Sequence, residues 1–170
     1  MKSWFPKKAE KINENRNRLY TLEVYIISGP MTEAFEKRNK VICRTIEIKG
    51  SQTLSELHGV IFDAFDREDE HMYEFQFGKG PHDPKGDRYV LPIAMNSPFD
   101  DKSTTKCDVT RTTIGSLGLK VDQAFGYWFD FGDDWYHQIN VVAIADEIPA
   151  GKYPRVIKRI GKSPPQYAEL

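Results

Sequence analysis

The first stretch of regular apolar and polar alternation runs from Leu19 to Ile27 (LYTLEVYII), where Leu22, Val24 and Ile26 alternate and Tyr20 fixes the phase. A period of two with β-branched and aromatic residues predicts a strand. Ser28-Gly29-Pro30 ends it. Residues 31–39 read as a polar connection with room for one helical turn. Val41 to Ile48 (VICRTIEI) predicts a second strand. Ile42, Arg44, Ile46 and Ile48 fall on one face of it, and Val41, Cys43, Thr45 and Glu47 on the other.

The period then becomes helical. Leu54, Leu57, His58, Ile61, Ala64 and Phe65 recur at helical spacing, and Thr53 with Glu56 three residues on forms a capping box. This predicts a helix over 53–65, capped by Thr53. Two strands and a covering helix make a β-grasp-like start to an α+β fold.

Downstream of the acidic turn 66–70, the segment His71 to Phe77 (HMYEFQF) alternates again. His71, Tyr73, Phe75 and Phe77 share one face of the predicted strand. Residues 78–88 read as a Gly/Pro loop, and 88–93 as a short strand edged by Pro92. Residues 95–110 read as loop. A short helix opens at Thr112 or Thr113 and stops at Gly118. Tyr127 to Phe131 and Trp135 to Ala145 predict two strong strands around a tight turn. Val156 to Ile160 predicts a last strand, and Pro164-Pro165 begins a tail. The expected architecture is a single α+β domain over residues 19–165. Its twisted sheet, mixed or antiparallel, carries one main packed helix. A basic lead of residues 1–18 precedes it and a tail of 166–170 follows.

Composition narrows the class. At 170 residues the chain suits one domain. No apolar run approaches the roughly 18 residues of a membrane span, and MKSWFPKKAEK lacks the apolar core of a secretory signal. Cys43 and Cys107 are too few for a disulfide framework or a Cys-only zinc site. The expectation is a soluble, cytoplasmic protein. Net charge is −1, so no global field steers it to nucleic acid or membrane. That total hides segregation: residues 1–18 carry +4, residues 152–162 carry +5, and the body between them carries −9. Basic ends lying on an acidic body outweigh a nucleic-acid arm, which would interleave aromatics for stacking.

The densest chemistry lies in YWFDFGDDWYHQI, residues 127–139. A two-residue turn at Gly132-Asp133 would be of type II′. It would pair Asp130 with Trp135 and Trp128 with His137. Trp128, Asp130, Trp135 and His137 would then share one face, with Asp130 and His137 in diagonal contact. Asp133 sits at the corner, and His71 or His58 could supply a further ligand. One reading of this cluster is an acid–base pair, or a divalent-metal site using His71, Asp130 and His137. The other is a satisfied structural network, which weighs more because no HExxH, CxxC or paired-His spacing is present. His58, on the apolar face of its helix, reads as a bonded core histidine.

The ordered motifs resemble a family. YTLEVYI, TLSELHGVIFDAF, HMYEF, FDFGDDWYH and the Pro-rich end match the prokaryotic family named after the third open reading frame of an agrobacterial Ri plasmid. The likeness runs over roughly residues 19–165, with Cys43-Arg44 where the family shows a Trp-Arg or similar pair. It implies an α+β fold and a prokaryotic cytoplasmic setting, but no activity. The closing segment, Pro164-Pro165-Gln166-Tyr167, departs from the family's acidic end. The leading functional expectation is a non-catalytic binding or adaptor module for a protein or small molecule, needing no cofactor. Its aromatic-lined polar pocket would use His71, Trp128, Asp130, Asp133, Trp135 and His137. The alternatives are a metal-assisted hydrolase or nuclease-like enzyme, and a nucleic-acid-associated protein of mobile elements.

Overall fold

The computed structural model describes residues 14–100, 102 and 104–168. Its strands are β1 (Leu19–Ser28), β2 (Cys43–Lys49), β3 (Tyr73–Phe77), β4 (Asp87–Val90), β5 (Lys106–Asp108), β6 (Ala124–Phe129), β7 (Trp135–Ala145) and β8 (Arg155–Ile160). Residues 14–16 are helical, and two further helices, α1 (Glu33–Arg38) and α2 (Leu54–Ala64), with short 3-10 turns at Pro92–Ala94 and Ile114–Leu117, complete the described residues. All eight strands form one sheet in the order β5-β4-β3-β6-β7-β1-β2-β8. Each pairing is antiparallel except β4 with β5. The fold is thus α+β with a mixed sheet. β5 lies in the stretch expected to be loop.

The first half follows the apolar pattern. β1 turns Tyr20, Leu22 and Val24 inward, and α2 buries Leu54, Leu57, Ile61 and Ala64 in the same core. The capping box forms in full. The Glu56 amide donates to Thr53 Oγ1 at 3.2 Å, and the Thr53 amide donates to the Glu56 carboxylate at 2.7 Å. Replacing Thr53 by Ala should cost about 1 kcal/mol, the usual loss for an N-cap. Urea denaturation checks this, and an unchanged midpoint would contradict it.

Arg44 is the exception on the apolar face of β2, and it is 2% exposed. Its Nε donates to the Ala64 carbonyl at 2.8 Å, at the open C-terminal end of α2. Nη1 donates to the carbonyls of Cys43, Ile160 and Gly161, and Nη2 to Ser163 Oγ. One side chain therefore ties β2, α2, the end of β8 and the C-terminal segment together.

The ends differ from expectation. The boundary drawn at residue 19 cuts through packed structure. The Asn15 side chain donates to the Gly115 carbonyl, and the Gly50 amide donates to the Arg18 carbonyl. Residues 1–13 of the expected lead lie outside the described residues. The C-terminal segment is likewise not a loose tail. Gln166 is buried, accepts from the amides of Glu68 and Asp69, and donates to the Asp69 carbonyl.

The largest correction concerns the β6–β7 hairpin. Phe129 pairs with Trp135, Trp128 with Tyr136, and Tyr127 with His137. Residues 130–134 form the loop, not Gly132-Asp133 alone. Asp130 and Asp134 both take positive φ, 61° and 56°, a conformation aspartate tolerates better than most residues. The Asp130 carboxylate accepts from the amides of Gly132 and Asp133, and its carbonyl accepts from the Asp134 amide. Relative to the two-residue turn, Trp135 and His137 pass to the other side of β6. They join Tyr127 and Phe129 in the core, while Trp128 stacks with Tyr136 on the opposite face. On that face the 78–86 loop folds against the sheet. Only a glycine fits at 126, where a β-carbon would lie 1.8 Å from the Pro81 carbonyl oxygen.

Candidate functional site

The site grows from α2 and β3. Helical spacing aims His58 inward, where its ring stacks on Tyr73 at 3.7 Å between centroids. His58 Nδ1 bonds the Tyr127 hydroxyl at 2.7 Å, and Nε2 bonds the Glu70 carboxylate at 2.9 Å. As expected from the sequence, this is a bonded core histidine. Burial lowers its pKa, opposed by the Glu70 charge. Burial also raises the Tyr127 hydroxyl well above the ordinary tyrosine value. Above this stack opens a wide, shallow cavity of about 610 Å³, lined by Ser55, His58, Glu70, His71, Met72, Tyr73 and Leu91. The Glu70 side chain remains 64% exposed at its rim.

His71 lies at the cavity wall, and Asp130 stands behind it. The His71 Nε2 to Asp130 Oδ2 separation is 3.4 Å. The Tyr167 hydroxyl lies 2.9 Å from the same nitrogen and donates to Asp69 Oδ2 at 3.0 Å. Asp130 is held by the hairpin loop and Tyr167 by the segment that Gln166 pins to residues 68 and 69. Three separate parts of the chain therefore meet at His71.

The other expected site residues scatter. His137 does not meet Asp130. It is 1% exposed, and its Nδ1 donates to the Tyr127 carbonyl at 3.2 Å. Burial, reinforced by the nearby Arg67 charge, lowers its pKa to about 3, so the ring is neutral. Trp135 is fully buried beneath the Arg67 guanidinium, 3.9 Å from its ring centre. Trp128 faces away, its indole donating to Asp134. Asp133 contributes its amide to the Asp130 carboxylate. The expected face of Trp128, Asp130, Trp135 and His137 is therefore not formed. His71, Asp130 and His137 do not converge on a common point. Among the described residues, no group of three or more His, Cys, Asp or Glu side chains is arranged to hold a metal ion.

Glu70, Tyr73 and Tyr167 were not singled out from the sequence. Tyr73 shares the alternation of His71, which places both on one face. Glu70 lay hidden in an acidic run that reads as a solvated corner. Tyr167 carries no local signal, since its role depends on where the C-terminal segment lands. Arg67 was also missed. Its terminal nitrogens, with Trp135 Nε1 and His137 Nε2, are buried without a hydrogen-bond partner among the described residues.

No helix among the described residues is long and apolar enough to cross a membrane. A crystal structure of a protein of unknown function from Methanosarcina mazei Go1 shares the fold. It matches with a TM-score of 0.60 and 21% identity, over 84% of this chain and 69% of that chain. No curated protein matches the chain. The sequence profile of the plasmid pRiA4b ORF-3-like proteins matches residues 34–168, a span that holds α2, β3, the Asp130 loop and the Tyr167 segment together. On that match, the chain belongs to the plasmid pRiA4b ORF-3-like family.

Proposed function

We propose that the protein is a cytoplasmic binding module whose cavity beside His58 and His71 receives a positively charged group of a protein or small-molecule partner. The observation that carries this reading is the cavity itself, aromatic at Tyr73 and His58 and acidic at Glu70. A concave site with a few oriented polar groups is the usual form of a ligand pocket. Glu70 is anchored by His58 yet exposed enough to meet a ligand. Glu68 and Asp69 are exposed beside it, whereas the charge of Arg67, the residue before them, is turned inward. The two free cysteines, Cys43 and Cys107, suit a reducing compartment.

Titration of a Met72 methyl resonance tests the reading, with arginine and spermidine as cationic probes and acetate and phosphate as anionic ones. The expected result is a saturable shift with the cations alone, lost in Glu70→Gln. No shift with either cation, or equal shifts with the anions, would overturn it. A hydrolytic reading draws on one observation, the carboxylate of Asp130 beside His71 Nε2, which would orient the ring as a general base. Turnover of bis(p-nitrophenyl) phosphate with added manganese, lost in His71→Ala, would favour that reading instead.

A further inference from the structure

The far edge of the sheet is unlike the rest of the surface. β8 is the terminal strand, so no strand lies beside its outer side among the described residues. Such an edge presents unpaired amides and carbonyls, a ready template for another chain. The same corner collects exposed apolar side chains. Ile27, Val41, Ile157 and Ile160 are each 41–50% exposed. Register explains their proximity. Tyr25 lies opposite Cys43, and Cys43 lies opposite Ile160, so these three share one face. Strand alternation carries Ile27 and Val41 to that face as well. Ile157 sits at the register shift that β8 makes against β2.

The charge at this edge has one sign. Residues 152–162 hold Lys152, Arg155, Lys158, Arg159 and Lys162 and no acid. Arg155 is paired with Glu47, and Arg159 donates to the Ala64 carbonyl. Lys152, Lys158 and Lys162 have no ion-pair partner among the described residues. Lysines alone would blunt an edge against pairing. Lysines interleaved with exposed isoleucines instead form a surface complementary to an acidic, apolar strand.

We propose that the outer edge of β8 docks an extended segment of another protein that carries acidic and apolar side chains on the same face, because Lys158 and Ile160, opposite Thr45 and Cys43, share one face of the sheet. The added strand would take the free backbone groups, its carboxylates would meet the unpaired lysines, and its apolar side chains would cover Ile157 and Ile160. Charge excludes two nearer occupants. A second copy of β8 would set like charges opposite one another. Residues 1–13 carry Lys2, Lys7, Lys8 and Lys11 against Glu10, so they repel the same edge. A single-stranded nucleic acid would stack its bases on aromatic side chains. The aromatic residue of this segment, Tyr153, is already covered by Lys49 and Arg155.

The test uses a fluorescent eight-residue peptide, Thr-Glu-Thr-Val repeated, which sets Glu and Val on one face, with the same peptide carrying Lys for Glu (the Lys–Val peptide) as control. The full chain should bind the acidic peptide, more weakly as salt rises, and slow amide exchange over residues 155–159. Lys158→Glu with Lys162→Glu, both exposed positions, should weaken binding roughly tenfold while leaving the circular dichroism spectrum unchanged. Equal binding of the Lys–Val peptide, or unchanged exchange over 155–159, would overturn the proposal. So would an oligothymidylate complex or a concentration-dependent dimer lost in the same double variant, since each names a different occupant. These outcomes are independent of the cavity at His71, which lies on other elements.

Discussion

Replacing Arg44 by methionine should destabilise the protein by about 2–3 kcal/mol, because a buried acceptor left unpaired, here the Cys43 carbonyl, costs about 1–3 kcal/mol and three part-buried acceptors lose their donor with it. The carbonyls of Cys43, Ile160 and Gly161 and the Ser163 hydroxyl would each lose the guanidinium. Ala64 retains a contact from Arg159, so the C-terminal end of α2 is not wholly stripped. Methionine keeps much of the volume, which separates lost bonding from a cavity. Lysine should not rescue, since one ammonium cannot reproduce the planar fork that reaches four parts of the chain. Urea denaturation reads both variants, and a loss near zero for Arg44→Met would refute the assigned role. The Ser163 hydroxyl, which accepts from Arg44 Nη2, also donates to Asp66 at 2.5 Å. The variant should therefore also loosen the segment that brings Gln166 and Tyr167 to the site.

Acid should destabilise the fold steeply, and His137 should account for much of the slope. Its folded pKa is about 3, depressed first by burial and then by Arg67. In the unfolded chain a histidine titrates near 6.5. Below 6.5 the unfolded chain binds a proton that the folded protein refuses, so unfolding gains. The stabilisation is complete above pH 6.5 and drains away as pH falls toward 3. At about 1.4 kcal/mol per unit, lowering the pH from 6.5 to 4 should cost roughly 3 kcal/mol from this residue. His58 and His82 are depressed in the same direction, chiefly by burial, and add to the trend. Denaturation measured across pH 4–7.5 checks the slope. His137→Leu should flatten it over that range, whatever its effect on absolute stability. An unchanged slope in that variant would contradict the assignment.

Local periodicity determined most of the elements. β1, α2 with its cap, β7 and β8 lie within about two residues of where the apolar pattern places them, because each reports its own buried face. The position of Arg44 on the apolar face of β2 was equally legible. Its partners were not, since they lie on α2, β8 and the C-terminal segment. His58 read correctly as a core histidine from helical spacing alone. The family was legible too, because its motifs keep their order along the chain and the profile match spans them.

The hairpin shows what the tertiary structure decided. A Gly-Asp pair between two strong strands suits a two-residue turn, and nothing local excludes it. The observed five-residue loop is stabilised by the Asp130 carboxylate on two loop amides, and by the Asp130 amide donating to the Met72 carbonyl next to β3. It also buries Trp135 and His137 with Tyr127 and Phe129, which the shorter turn would have divided between the faces. That one-residue change moved Asp130 from His137 to His71. The site was settled in the same way. Glu70, His71 and Tyr73 are close in sequence, but Asp130 and Tyr167 reach them from far along the chain. Spacing in a sequence reports periods of two and 3.6 residues; it carries no signal for contacts made when a hairpin loop and a C-terminal segment close over the same corner of a sheet.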